Sequence, residues 1–276
     1  MFNAIRRLFD PRARLREALG KENLPSFSAV QMQVLKSLRS PDTALSAIGH
    51  QLASDPGLST KVLRTVNSAA FGLGRKVSDP AHAAALLGRA ELESLVLSVA
   101  TRHAMPSKSI SGFDPNTFWR TASRRAATAR LLADRVSPRE RGVCFTAGLL
   151  QDMAVPLLAA ARPDTYGPLV EQSRGGPGLI ALEREVLGMD HAEVAGWLCE
   201  NWSFPEPLSA AITGHHGEPG AAPIAVQIVA LITDQSEPEA TVEAARDTLN
   251  LSPEELLHIL EDGAIRGDEM AQALLG

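Results

Sequence analysis

The chain has 276 residues, enough for one large domain or two modest ones whose core needs no disulfide staples. Apolar residues make up 45% and charged residues 21%, the balance of a folded globular chain and not of a disordered one. A formal charge of −5 argues against a chain drawn as a whole to nucleic acid or anionic lipid, so no nucleic-acid partner is expected.

With 41 Ala and 36 Leu against 8 Phe, 3 Trp and 1 Tyr, the composition favours helices over strands. The chain opens with a basic segment, residues 1–21, in which Phe2, Ile5, Leu8 and Phe9 fall at helical spacing, and an amphipathic helix is expected there. It has no apolar run long enough for a signal peptide, and the longest such run, Met153 to Ala161, is about half of what a membrane-spanning helix needs. The two cysteines, Cys144 and Cys199, form no C-x-x-C and suit small core positions in a reducing cytoplasm. A cytoplasmic protein with no membrane span is the expectation.

Helix starts come next. A Ser or Asp whose side chain accepts backbone N–H bonds, followed by a Pro that has no N–H to lose, marks a helix N-terminus. That pair recurs at Ser40-Pro41, Asp55-Pro56, Asp79-Pro80, Asp114-Pro115, Ser137-Pro138 and Ser252-Pro253. Ser137 with Glu140, and Ser252 with Glu255, have the spacing of a capping box. Val30, Val34, Leu35 and Leu38 share one helix face after Ser28, as do Leu58, Val62, Leu63 and Val66 after Asp55-Pro56. Leu86, Leu87, Leu92, Leu95 and Val99 describe a helix pair broken at Gly88, and Gly72, Gly74, Gly188 and Gly263 are read as turn residues. A Ser/Gly/Pro-rich stretch from Met105 to Asp114 separates a first lobe, about 22–106, from a second, about 112–236. The expected fold is all-α, a two-lobed multi-helix bundle followed by an acidic helical tail over 237–276.

Charge is spread unevenly. Residues 1–22 hold six basic and three acidic side chains, whereas 237–276 hold two and ten. Arg120 to Arg141 contains seven Arg against Asp134 and Glu140. Such runs are commonly solvated helix faces; the sharper readings are docking surfaces at the two ends and, for the Arg-rich helix, a nucleic-acid contact.

Residues able to do chemistry gather in the second lobe: Asp152, His191, the pair His215-His216 and Asp234. Imidazole and carboxylate on separate helical segments are how helical proteins assemble metal sites. Adjacent His215 and His216 point about 100° apart on a helix, so both reach one ion only if the backbone is irregular. Gly214 and Gly217 permit that. No nucleophile elbow, phosphate-binding loop or dinucleotide fingerprint occurs.

At these residues the chain resembles the HDOD family. The first lobe carries the likeness in Leu24-Pro25-Ser26-Phe27-Ser28, in Ser54-Asp55-Pro56-Gly57-Leu58, and in Leu63-Arg64-Thr65-Val66-Asn67-Ser68-Ala69 followed by Phe71-Gly72. The second carries it in Phe118-Trp119-Arg120, Ala147-Gly148-Leu149-Leu150-Gln151-Asp152, Glu183 to Trp197, Asn201-Trp202-Ser203-Phe204-Pro205 and His215-His216, and the likeness spans about 22–260. It implies a module related to the HD phosphohydrolases, with an HD-like second lobe, usually non-catalytic and used in bacterial signal transduction. It implies no cofactor, and partners among signalling proteins, components of the cyclic di-GMP pathway included. It places the first metal-binding His of the HD pattern at Thr121 and the His of the His-Asp doublet at Gln151, so both ligands are lost. Asp152, His191, His215, His216 and Asp234 match the remaining ligand positions as a degenerate metal remnant. The alternative reading is a degenerate HD-type metal-dependent phosphohydrolase that retains weak metal or nucleotide binding. Asn67, Phe71 and Trp119 mark an expected interlobe groove, either packing or partner contact.

Overall fold

A computed structural model describes residues 11–20, 24–173, 178–246 and 248–275. Among these the regular structure is helical throughout, with an isolated bridge between Ile110 and Phe113 and no strand. Phe2, Ile5, Leu8 and Phe9 of the basic N-terminal segment lie outside the described residues.

Helix α1 (Pro11–Leu19) buries Leu15, Ala18 and Leu19, and Arg162 donates to its last carbonyls, at Ala18 (2.9 Å) and Glu17 (3.1 Å). Helices α2 (Ala29–Arg39), α3 (Leu45–Ala53), α4 (Pro56–Val66) and α5 (Pro80–Ala104) build the first lobe. Ser28 and Gln31 close a capping box on α2. Asp55, Asp79 and Asp114 each accept a backbone N–H three residues on, at 3.0, 2.8 and 2.9 Å. Gly88, with φ of 73°, kinks α5.

Two expected starts differ. Ser40-Pro41 opens no helix: Ser40 ends α2, and Arg89 donates to the carbonyls of Ser37, Leu38, Ser40 and Thr43 at 2.6–3.0 Å. Ser137-Pro138 opens only a 3₁₀ turn, Pro138–Glu140, in which Glu140 N–H donates to the Ser137 carbonyl and no capping box forms. At Ser252–Glu255 the reciprocal bonds are made, at 2.9 and 3.2 Å.

The second lobe is organised on α6 (Pro115–Val136), against which α7 (Arg141–Leu150) packs; α5 also lies on α7 and ties the lobes together. There follow α8 (Val155–Ala161), α9 (Pro163–Ser173), α10 (Gly178–Leu187), α11 (His191–Asn201), α12 (Glu206–Thr213), α13 (Ile224–Val229) and α14 (Pro238–Ala245). The stretch Pro138–Ala161 is apolar enough to cross a membrane by composition, but 89% of its window is buried in the fold, which accounts for that apolarity. Cys144 and Cys199 are buried, and burial pushes both thiols up to about 12.

Helix α15 (Pro253–Leu275) lies along α6 and reaches α4 and the 3₁₀ turn Ala69–Phe71. Gly263 is therefore no turn residue: it sits inside α15, where an added Cβ would come within 2.1 Å of the Thr128 hydroxyl. Gly267 allows the same approach at Arg124. Arg124 binds Asp268 through two nitrogens (2.7 and 2.8 Å), and Glu269 accepts from the Ala69 N–H. Arg124, Arg125, Arg130 and Arg141 are thus ion-paired within the molecule, which removes much of the charge that a nucleic-acid reading of the Arg-rich helix would use.

Candidate metal centre and the cavity beside it

Asp152 stands in the turn between α7 and α8, held by Met153 N–H to Leu150 and Val155 N–H to Asp152 itself. Asp190 caps α11 through a reciprocal box with Glu193, which makes His191 the first helical residue and turns it inward, 1% exposed. Its backbone N–H and its Nδ1 both meet Glu183 Oε2, at 3.0 and 2.7 Å, and the Tyr166 hydroxyl donates to the other oxygen of the same carboxylate. Helix α12 ends at Thr213, and a Cβ on Gly214 would stand 2.3 Å from the Ala221 carbonyl, so the chain turns there as only Gly permits. That irregular turn carries both His215 and His216 into the centre. The Nδ1 of His215 lies 2.6 Å from the Ile212 carbonyl, which can only accept, leaving Nε2 for the interior.

Asp152, His191, His215 and His216 converge, each offering a ligand atom within 4.8 Å of the others. Asp152 Oδ1 is 3.3 Å from His191 Nε2 and 3.1 Å from His215 Nε2, and the two imidazole nitrogens are 3.3 Å apart. Despite those distances Oδ1 makes no well-angled hydrogen bond. Ligands each about 2.1 Å from one ion stand roughly 3.0–3.4 Å apart, so this near-equilateral triangle has the dimensions of one face of a coordination shell. Glu183 and the Ile212 carbonyl hold the outer nitrogens of the two His, the usual support for metal-binding imidazole. The residues present fit a single ion.

The other half of the expected shell is absent. Thr121 is 93% buried and lines a neighbouring cavity, and Gln151, 1% exposed, has neither its amide oxygen nor its nitrogen hydrogen-bonded. Asp234, expected with the other ligands, is outside the four-residue group and exposed. Its displacement has a local cause: Arg125 donates Nε to the Ile232 carbonyl at 2.7 Å and pairs with Asp152 Oδ2, and the Thr233–Ser236 turn carries Asp234 outward. Arg125 and Tyr166 were not singled out from the sequence, although Arg125 falls one helical turn after Thr121 and Tyr166 is the lone tyrosine.

Burial opposes the charge of Asp152, yet Arg125 and the two imidazoles hold its carboxyl well below the usual range. Burial likewise disfavours a charged His191, but the neighbouring carboxylates of Asp152 and Glu183 outweigh it and raise the imidazole to about 10. Burial and the adjacent His215 push His216 down to about 3.

Phe71 and Trp119 are core residues, 8% and 0% exposed: Phe71 packs edge-on against Phe145 and beneath Arg130, and Trp119 against Phe118 and Arg102. Neither presents a face to a partner while the lobes stay packed. Asn67 staples the chain, donating to Leu63 and Val77 carbonyls and accepting from Val77 N–H, each at 2.7 Å.

A model of the HDOD domain matches residues 24–218. The chain belongs to the HDOD family. Its second lobe accordingly has the HD-like architecture seen in structures of this kind. An HDOD domain protein of unknown function from Geobacter sulfurreducens superimposes with a TM-score of 0.65 at 20% identity, covering 99% of this chain and 96% of that one. A candidate phosphohydrolase from Shewanella amazonensis SB2B gives a TM-score of 0.72 at 25% identity over 94% and 97% of the two chains. A candidate signal-transduction protein from Marinobacter aquaeolei VT8 gives 0.68 at 20% identity over 97% and 66%. An uncharacterized protein of Treponema pallidum (strain Nichols) is 26% identical over 205 residues, 72% of this HDOD chain and 39% of that protein's length. The chain thus spans about two fifths of that curated relative.

Proposed function

We propose that this HDOD chain is a non-catalytic regulatory module of bacterial signal transduction that works through protein–protein contacts, with signalling proteins, including those of the cyclic di-GMP pathway, as its partners. The observation that carries the reading is the half of the centre formed by Thr121, Gln151 and Arg125. Thr121 and Gln151 supply neither of the two His expected there, and the Arg125 guanidinium occupies the second oxygen of Asp152. A two-ion phosphohydrolase centre needs carboxylate and imidazole at those places, and a fixed cation there repels a second metal ion. Incubation with cyclic di-GMP and with bis(p-nitrophenyl) phosphate in excess Mn²⁺ or Fe²⁺ tests this. The rate should equal that of the Asp152→Ala variant, and turnover that this substitution abolishes would overturn the proposal.

The triangle of donor atoms favours a second reading, retention of a single divalent ion by Asp152, His191, His215 and His216. An ion in that seat supplies Lewis acidity. The chain's own contribution is to orient the imidazoles through Glu183 and Ile212 and to exchange the proton on His191, since only neutral imidazole ligates. Calorimetric titration with Zn²⁺ or Mn²⁺ should then show about one equivalent, bound more tightly as pH rises from weakly acid to weakly alkaline and lost in His215→Ala. Absence of binding at alkaline pH would dismiss this reading and leave the first intact.

A further inference from the structure

Asp152 uses its two oxygens differently. Oδ1 faces the Nε2 atoms of His191 and His215, at 3.3 and 3.1 Å, and makes no well-angled hydrogen bond, whereas Oδ2 accepts from the Arg125 guanidinium. One side of the carboxylate is turned to the triangle of donor atoms and the other to a cation already in place. Among the described residues that pair with it, Arg125 alone carries a charge that it cannot give up.

That cation is fixed. Arg125 projects from α6, its side chain is 6% exposed, and its Nε donates to the Ile232 carbonyl at 2.7 Å, just beyond α13. Its place is thus set from two sides by the fold. Asp152 and Arg125 also line the cavity of about 770 Å³ beside the centre, so an ion arriving there meets carboxylate and guanidinium together. A divalent ion at Oδ1 and the guanidinium at Oδ2 repel each other across one carboxylate. Taking the guanidinium away leaves a mostly buried carboxylate short of positive charge, which a metal ion can supply.

We infer that Arg125 is a resident substitute for a metal ion: it compensates Asp152 so that the centre stays folded without one, and it sets how weakly the seat formed by Asp152, His191, His215 and His216 holds one. The inference deepens the single-ion reading and concerns the same seat. It gives Arg125 a role in ion affinity and stability, and none in turnover.

Calorimetric titration with Zn²⁺ at weakly alkaline pH tests it on the full chain, comparing wild type with Arg125→Gln and Arg125→Lys. Arg125→Gln should bind at least about tenfold more tightly than wild type, and Arg125→Lys, which keeps the charge, should not. A smaller gain in Arg125→Gln, no binding by it, or an equal gain in Arg125→Lys would overturn the assignment. Zn²⁺ held by wild type and Arg125→Gln with the same affinity would sink the inference and leave the single-ion reading standing. Binding confined to Arg125→Gln would sink that reading and support the inference. Thermal unfolding without metal gives a second measurement. Arg125→Gln should lower the midpoint by about 6–15 °C, and adding Asp152→Asn should recover at least about half of that loss. A smaller loss or a smaller recovery counts against the inference. If Arg125→Gln does not fold alone, folding in excess Zn²⁺ carries the proposal and failure to fold there overturns it.

Discussion

At the buried centre the imidazoles of His191 and His215 have their outer nitrogens tied to Glu183 and to the Ile212 carbonyl, whereas across from them the Gln151 amide has neither atom bonded. The first half is a pair of imidazoles with supported outer nitrogens, and the second is a wall with unbonded polar atoms. The difference shows that the orientation of the two imidazoles does not depend on the residues at 121 and 151. Their geometry comes from Glu183, Tyr166 and the turn at Gly214, and none of these touches position 121 or 151 through a hydrogen bond. The arginine at 125 completes the change by giving Asp152 a permanent partner from the protein itself.

The contrast is broken most severely at Glu183. Glu183→Ala leaves the His191 N–H, its Nδ1 and the Tyr166 hydroxyl without an acceptor inside the core, and should cost about 3–5 kcal/mol in urea unfolding. A loss below about 1 kcal/mol would mean that the supported half is not supported by this carboxylate. Gln151→Leu sharpens the other half. It removes two unbonded buried polar atoms at similar volume, so the protein should be unchanged or more stable by up to about 2 kcal/mol. A clear destabilisation would show that the amide has a bonding role.

The dependence on pH probes the same imidazoles without a substitution. His191 is raised in the fold to about 10 from an ordinary 6.5, so its imidazolium contributes stability that is fully present below 6.5 and is lost as pH climbs toward 10. His216, lowered to about 3, is neutral in the fold and contributes in the opposite sense, losing stability as pH falls from 6.5 toward 3. The unfolding midpoint should therefore decline on the alkaline side, and His191→Gln should flatten that decline.

Much of the helix pattern was legible because caps are local. Asp55, Asp79 and Asp114 each bond an N–H three residues away, and Gly88 breaks α5 where its positive φ requires. Ser40 and Ser137 carry the same local signal and fail, Ser40 because Arg89 reaches across from α5 to take the carbonyls at the end of α2. Gly263 reads as a turn, and only the approach of α6 shows why a helix interior needs it. At the centre, order along the chain brought Asp152, His191, His215 and His216 into view but included Asp234 as well, since nothing near Asp234 in sequence announces that Arg125 will hold the Ile232 carbonyl.

By itself the sequence determined the helical class, most helix starts and the residue types available for an HD-like centre, because propensity and capping act within one turn of chain. Tertiary structure alone decided which of those residues meet, that the acidic last helix is packed against α6, and that the cavity at Thr121 is bordered by Asp114, Glu171 and Asp234. Residues 125, 152, 191, 215 and 216 come together only through the packing of separate helices, and no local rule fixes that.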